Sequence, residues 1–112
     1  MHDEVARCRA LRIPYLVLHP GSHGGAGESR GVALVAQGLS EILAGAPPGV
    51  AVLLENTAGQ GACVGHDFAH LRDIIGLCSH GRRLGVCLDT QHAFAAGHDL
   101  RTPEGYDRTF AA

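Results

Sequence analysis

Three short apolar runs recur along the 112-residue chain: Tyr15–His19 (YLVLH), Val50–Glu55 (VAVLLE) and Leu84–Asp89 (LGVCLD). None alternates with polar residues. Runs of this length bounded by turn residues read as strands, and the lack of alternation predicts a parallel sheet covered on both faces. Pro14 precedes the first run and Pro20-Gly21 ends it. Between the first two runs, Val32, Val35, Ala36, Leu39, Ile42 and Leu43 fall at helical spacing, and the stretch from Gly45 to Pro48 stops them. Between the second and third, Phe68, Leu71, Ile74, Ile75 and Cys78 do the same. Asp3–Leu11 reads as an opening helix, and Thr102 caps a last one with Pro103 at its first position. The expected order is α-β-α-β-α-β-loop-α.

Strand–helix–strand units of this kind give a parallel sheet with right-handed crossovers. Two architectures satisfy them, an open doubly wound sheet or part of a (β/α)8 barrel. Three strands cannot close a barrel of about 250 residues, so the barrel reading makes residues 1–112 a partial barrel domain, incomplete at both ends. No linker or low-complexity stretch marks a second domain.

With no tryptophan, two tyrosines and three phenylalanines, the core must rest on Val, Leu, Ile and Ala. The formal charge is −2 and all nine basic residues are arginine, a balance that announces no polyanionic partner. No apolar run approaches the roughly 18–20 residues that span a bilayer, so a membrane partner is not expected. Cys8, Cys63, Cys78 and Cys87 form no Cys-x-x-Cys pair and no secretory signal is present, which points to a reduced, cytoplasmic protein. Eight histidines in this length direct attention to metal binding.

The spacing that matters is the repeat itself. Each run ends in a metal-ligand type, His19, then Glu55, then Asp89, at intervals of 36 and 34 residues. In a parallel sheet these side chains leave at one rim, the carboxyl ends of the strands, where α/β folds place their sites. Polar residues also simply begin loops, but three in phase, with His92 just beyond Asp89, favour a site. Imidazole nitrogen and carboxylate oxygen together suit a zinc-like cation.

Other features carry less. Gly21–Gly27 (GSHGGAG) matches neither phosphate-binding glycine pattern, so its glycines are expected to allow a tight strand exit or close approach of a substrate. Ser22 beside His23 lacks the third, orienting group of an activated nucleophile. His2, His66, His70, His80 and His98 are expected on the surface or at caps. Cys87 shares a face with Asp89 by strand alternation, and buried packing is its expected role.

At these same residues the sequence becomes familiar: HPGSH at His19–His23, ENTAGQG at Glu55–Gly61, and GVCLDTQHAFAAGHDLRTPEGYDRTF from Gly85 to Phe110. Together with the opening DEVARCRAL segment they resemble endonuclease IV over nearly the whole chain. The resemblance implies a (β/α)8 barrel of which this chain carries the fourth to sixth strands, with three zinc ions at the carboxyl rim. It implies His19 as a ligand of the first zinc and Glu55 as the carboxylate bridging the first and second. It likewise implies Asp89 as a ligand of the second zinc and His92 of the third. The implied activity is DNA repair by hydrolysis of the phosphodiester 5′ to an abasic site in double-stranded DNA. Gln91 and His98 depart from the family's usual Cys or Ala and Tyr without removing a ligand. Ligands from other strands have no counterpart here, so an inactive fragment is the alternative for the isolated chain. A metal-dependent sugar isomerase or epimerase of the same barrel type is a further alternative that fold alone leaves open.

Overall fold

A computed structural model describes residues 1–111. The first helix, α1 (His2–Ala10), leads into β1 (Tyr15–Leu18), followed by α2 (Glu28–Gly45), β2 (Ala51–Glu55) and α3 (Phe68–Leu77). A 3₁₀ turn at Gly81–Arg83 precedes β3 (Leu84–Cys87), and α4 (Thr90–Ala95) and α5 (Pro103–Phe110) follow. The strands lie side by side in sequence order and all pairs are parallel. This is the α/β arrangement expected, with one addition: the loop after β3 contains α4, too short to show a helical period.

Register decides which side chains share a face. Leu16, Val52 and Leu84 are in line, as are Leu18, Leu54 and Val86. On that face Val52 and Leu54 are fully buried and pack with Val32, Ala36, Leu39 and Leu43 of α2 and Leu71 and Ile74 of α3. Burial of such aliphatic side chains contributes about 1.5–3 kcal/mol each, enough for α2 and α3 to hold one sheet face. A smaller cluster of Val5, Cys8 and Val50 seats α1 beside it.

The opposite face differs from expectation. Tyr15 and Val17 are 59% and 47% exposed there, so the sheet is covered on one side only among the described residues. Continuous apolar runs are what a barrel strand needs, because its second face is covered by other strands of the barrel rather than by its own crossover helices.

The end of α2 is held from a distance. The Arg83 guanidinium donates to the carbonyls of Leu43 and Ala46 through Nη1 and of Pro47 and Val50 through Nη2, at 2.7–3.4 Å. It thereby ties the last turn of α2, whose Leu43 carbonyl also accepts the Ala46 N–H, to the segment that enters β2.

Candidate metal centre

Glu55 is the last residue of β2, and its alternation places it on the open face of the sheet, level with Cys87 of β3. The strands run shorter than the apolar runs suggest. His19 therefore lies one residue beyond β1 and Asp89 two beyond β3, yet both remain at the same rim as Glu55.

Asp89 is the N-cap of α4. Its Oδ1 accepts the His92 backbone N–H at 2.8 Å, as Asp side chains do at helix starts. That N–H is the main reason its carboxyl is held below the usual carboxylate range, against a smaller cost of desolvation. The cap turns the first residues of α4 so that His92 Nδ1 sits 3.5 Å from Asp89 Oδ2 and 3.8 Å from Glu55 Oε1. Glu55 uses both oxygens: its Oε2 lies 2.7 Å from His19 Nε2 while Oε1 faces His92, whose ring stands edge-on to that of His19 with centroids 6.1 Å apart. A cleft of about 160 Å³ lined by His19, Thr57, Ala58, Gln60, Cys63 and His92 opens beside them.

The donors suit a cation of the zinc class. Glu55, Asp89 and His92 each offer a ligand atom within 4.8 Å of the others. Tetrahedral zinc with ligand distances of about 2.0–2.2 Å spreads its donors about 3.4 Å apart. The His92 nitrogen nearest the two carboxylates is Nδ1, which already donates to the Asn56 carbonyl, so ligation falls to Nε2 and needs the side chains to turn toward it. Of the four positions expected from sequence, these three are brought together, whereas His19 joins them through Glu55 and an edge-on contact with the His92 ring, and its side chain is 64% exposed.

Sequence reasoning passed over Asn56. It is 1% exposed, its Nδ2 donates to the Asp89 carbonyl at 2.9 Å, and its Oδ1 accepts the Asp89 backbone N–H at 2.6 Å. Its own carbonyl accepts from His92 Nδ1 at 2.9 Å. Its position directly after a ligand-type residue at a strand end is the signal that was available. Cys87 is half-buried beside Glu55 and makes no metal group with it.

The loops above the rim are joined to one another. Ser22 and Cys63 form an antiparallel bridge, with His23 N–H donating to Ala62 O at 2.9 Å and Val64 N–H to Gly21 O at 2.8 Å. His23 Nδ1 accepts the N–H groups of Gly25 and Gly27, the latter at φ +94°, so the glycine-rich loop wraps its own histidine.

The family model described as Xylose isomerase-like TIM barrel matches residues 1–111. The chain belongs to that family. Within it, the chain is 52% identical over 110 residues to a probable endonuclease 4 of Chloroflexus aurantiacus, covering 97% of this chain and 39% of that protein. It is 50% identical over 110 residues to a probable endonuclease 4 of Nitrosopumilus maritimus, again covering 97% and 39%. The crystal structure of endonuclease IV from Thermus thermophilus superposes with a TM-score of 0.76 at 34% identity, covering 99% of this chain and 39% of that one. The chain thus spans about two-fifths of the length of these relatives. Its three parallel strands are a segment of the family's barrel fold, and the exposed sheet face is the one that points into such a barrel.

Two departures from the endonuclease IV pattern leave the donor set intact. Gln91 is exposed on α4, and its backbone N–H adds a smaller share to the lowering of the Asp89 carboxyl. His98 stacks on Phe68 with ring centroids 4.4 Å apart and donates Nε2–H to the His66 carbonyl, combining an aromatic face with a polar edge.

A second group of metal-ligand types, Glu28, His66 and His70, also lies close together. Contrary to expectation His70 is buried, 8% exposed. Its Nδ1 accepts the Gly65 N–H at 3.1 Å, which leaves the proton of the neutral ring on Nε2, 3.2 Å from Glu28 Oε2. A metal-bound histidine has the reverse arrangement, its second nitrogen donating. The group is a hydrogen-bonded brace between α2 and α3.

Proposed function

We propose that this chain forms part of the active rim of a zinc-dependent apurinic/apyrimidinic endonuclease acting on double-stranded DNA, with residues 1–112 a partial barrel domain. His19, Glu55, Asp89 and His92 are the metal ligands in this reading. The observation that carries it is the convergence of Glu55, Asp89 and His92 at the carboxyl ends of parallel strands, in a chain 52% identical to a probable endonuclease 4.

The two oxygens of Glu55 favour a bridging role. One faces His19 and the other faces His92, so a single carboxylate can serve cations on both sides. Asp89 stays ionised through its cap, ready to bind without first losing a proton. Bound zinc would lower the pKa of water to furnish hydroxide and polarise the phosphodiester 5′ to the abasic site. The chain's own residues hold the donors in register at the rim, and no covalent nucleophile is required of them. Recognition by flipping is cheapest where a base is absent. The remaining ligands and the phosphate contacts would come from other strands and loops of the barrel, consistent with the chain's −2 charge. A cytoplasmic setting, in which the four free thiols stay reduced, belongs to the same reading.

The test is nicking of a duplex with one abasic site in the presence of zinc, by the 112-residue chain and by the product of its coding region with the flanking sequence. Nicking by the longer product alone is expected. An inactive, zinc-free longer product would sink the assignment, and nicking by the 112-residue chain would overturn the view of it as part of a site.

A further inference from the structure

We propose that Asn56 is a positioning residue that couples the ends of β2 and β3 and presents His92 to a cation through Nε2. Three contacts carry the inference. The Asn56 side-chain amide pairs with both backbone groups of Asp89, donating to its carbonyl and accepting from its N–H. The residue is 1% exposed, so neither hydrogen bond has water as a competitor. The Asn56 carbonyl, an acceptor only, lies 2.9 Å from His92 Nδ1, closer than the 3.5 and 3.8 Å of the Asp89 and Glu55 oxygens. The ring proton therefore resides on Nδ1, and the lone pair is on Nε2.

This has consequences for each neighbour. Glu55 precedes Asn56 in the chain, Asp89 is held by its side chain and His92 by its carbonyl, so one residue sets the relative placement of three proposed ligands. An imidazole whose second nitrogen donates to a backbone carbonyl is the usual form of a metal-ligating histidine, fixed in tautomer and rotation. Among the described residues His19 has no such contact, and Asn56 reaches it only through Glu55 and His92.

The experiment reads the ring directly. Long-range proton–nitrogen NMR of the 15N-labelled 112-residue chain is recorded at a pH of about 8.5, where an ordinary imidazole is neutral. His92 is expected as a single tautomer protonated at Nδ1, against the Nε2–H form that an unconstrained ring prefers. Asn56→Ala keeps the backbone carbonyl, so Nδ1–H should persist, but with the side-chain bridge to Asp89 gone the affinity with which His92 responds to added zinc should fall by about tenfold or more. The His19 response should stay as it is. Asn56→Asp, which keeps the acceptor for Asp89 N–H and loses the donor to its carbonyl, should fall between the two. A packing role alone predicts neither Nδ1–H in the parent nor a zinc affinity graded from Asn through Asp to Ala.

An Nε2–H tautomer of His92 in the parent chain overturns the proposal and needs no variant to observe. So does an Asn56→Ala chain with the same amide spectrum elsewhere and a zinc affinity within about twofold of the parent. The metal readout rests on the proposed function, but the tautomer does not. A parent chain with Nδ1–H on His92 and no zinc response at any of the four ligands supports the positioning geometry and removes the metal reading instead.

Discussion

Two clusters of histidine and carboxylate in this chain have nearly the same composition and opposite logic. Glu28, His66 and His70 face one another between α2 and α3, while Glu55, Asp89 and His92 meet at the strand ends. In the first, the buried His70 uses both ring nitrogens within the protein, accepting from Gly65 and donating to Glu28. In the second, His92 spends one nitrogen on a carbonyl and leaves the other free, and Glu55 turns an oxygen to each side. Residue type alone does not separate a brace from a ligand set. The hydrogen bond on the far side of the ring does.

The comparison breaks most decisively at its two glutamates. Glu55→Ala should weaken zinc binding at the rim by about two orders of magnitude or more, and in the longer gene product nicking of abasic-site DNA should fall by at least as much. Calorimetric titration with zinc checks the first, and unchanged affinity would return Glu55 to the status of a loop residue. Asp89→Asn sharpens the contrast further. Asparagine caps helices as well as aspartate, so the melting temperature should hold while zinc affinity drops by about ten- to a hundredfold.

The brace should respond the other way round. Glu28→Ala leaves the buried Nε2–H of His70 without an acceptor, at a cost of about 1–3 kcal/mol in urea unfolding, with no change in zinc stoichiometry. A lost equivalent of zinc in that variant would make the brace a metal site after all.

The smallest effect concerns neither cluster. Asp99, ahead of α5, is held below the usual carboxylate range chiefly by hydrogen bonding to the Arg101 side chain. A carboxyl with a depressed folded pKa contributes stability above its unfolded value and loses it as pH falls through the folded one. Asp99→Asn should therefore melt slightly below the parent at neutral pH, and the gap should close as pH falls below about 4. A gap that persists unchanged into acid would remove the ionic origin of the effect. Zinc affinity is the control that should not move.

Most of the backbone was legible because the apolar runs and the helical periods agree with each other. α2 begins four residues before Val32, and α4 went unseen because six residues hold less than two turns. The placement of His19, Glu55 and Asp89 at one rim followed from strand phase even though β1 and β3 stop short of His19 and Asp89. Burial of His70 was not legible, since its partners come from Gly65 in the preceding loop and from Glu28, 42 residues away. Asn56 was marked only by its place after Glu55, for a similar reason: its partner is the backbone of Asp89, and backbone groups leave no mark in a sequence.

The pairing of Glu55 with Cys87 across β2 and β3 also bears on how such a centre can arise or be lost. Side chains alternate strictly along a strand, so sliding β3 by one residue would send Asp89 to the helix-packed side and bring an apolar neighbour to the rim. The proposed centre is thus all or none with respect to chain length: one inserted or deleted residue within β3 would erase it, whereas the same change in the helix-bearing crossover can be absorbed. Natural variation in this segment should accordingly accumulate as length changes around α2 and α3 and only as substitutions within the strands.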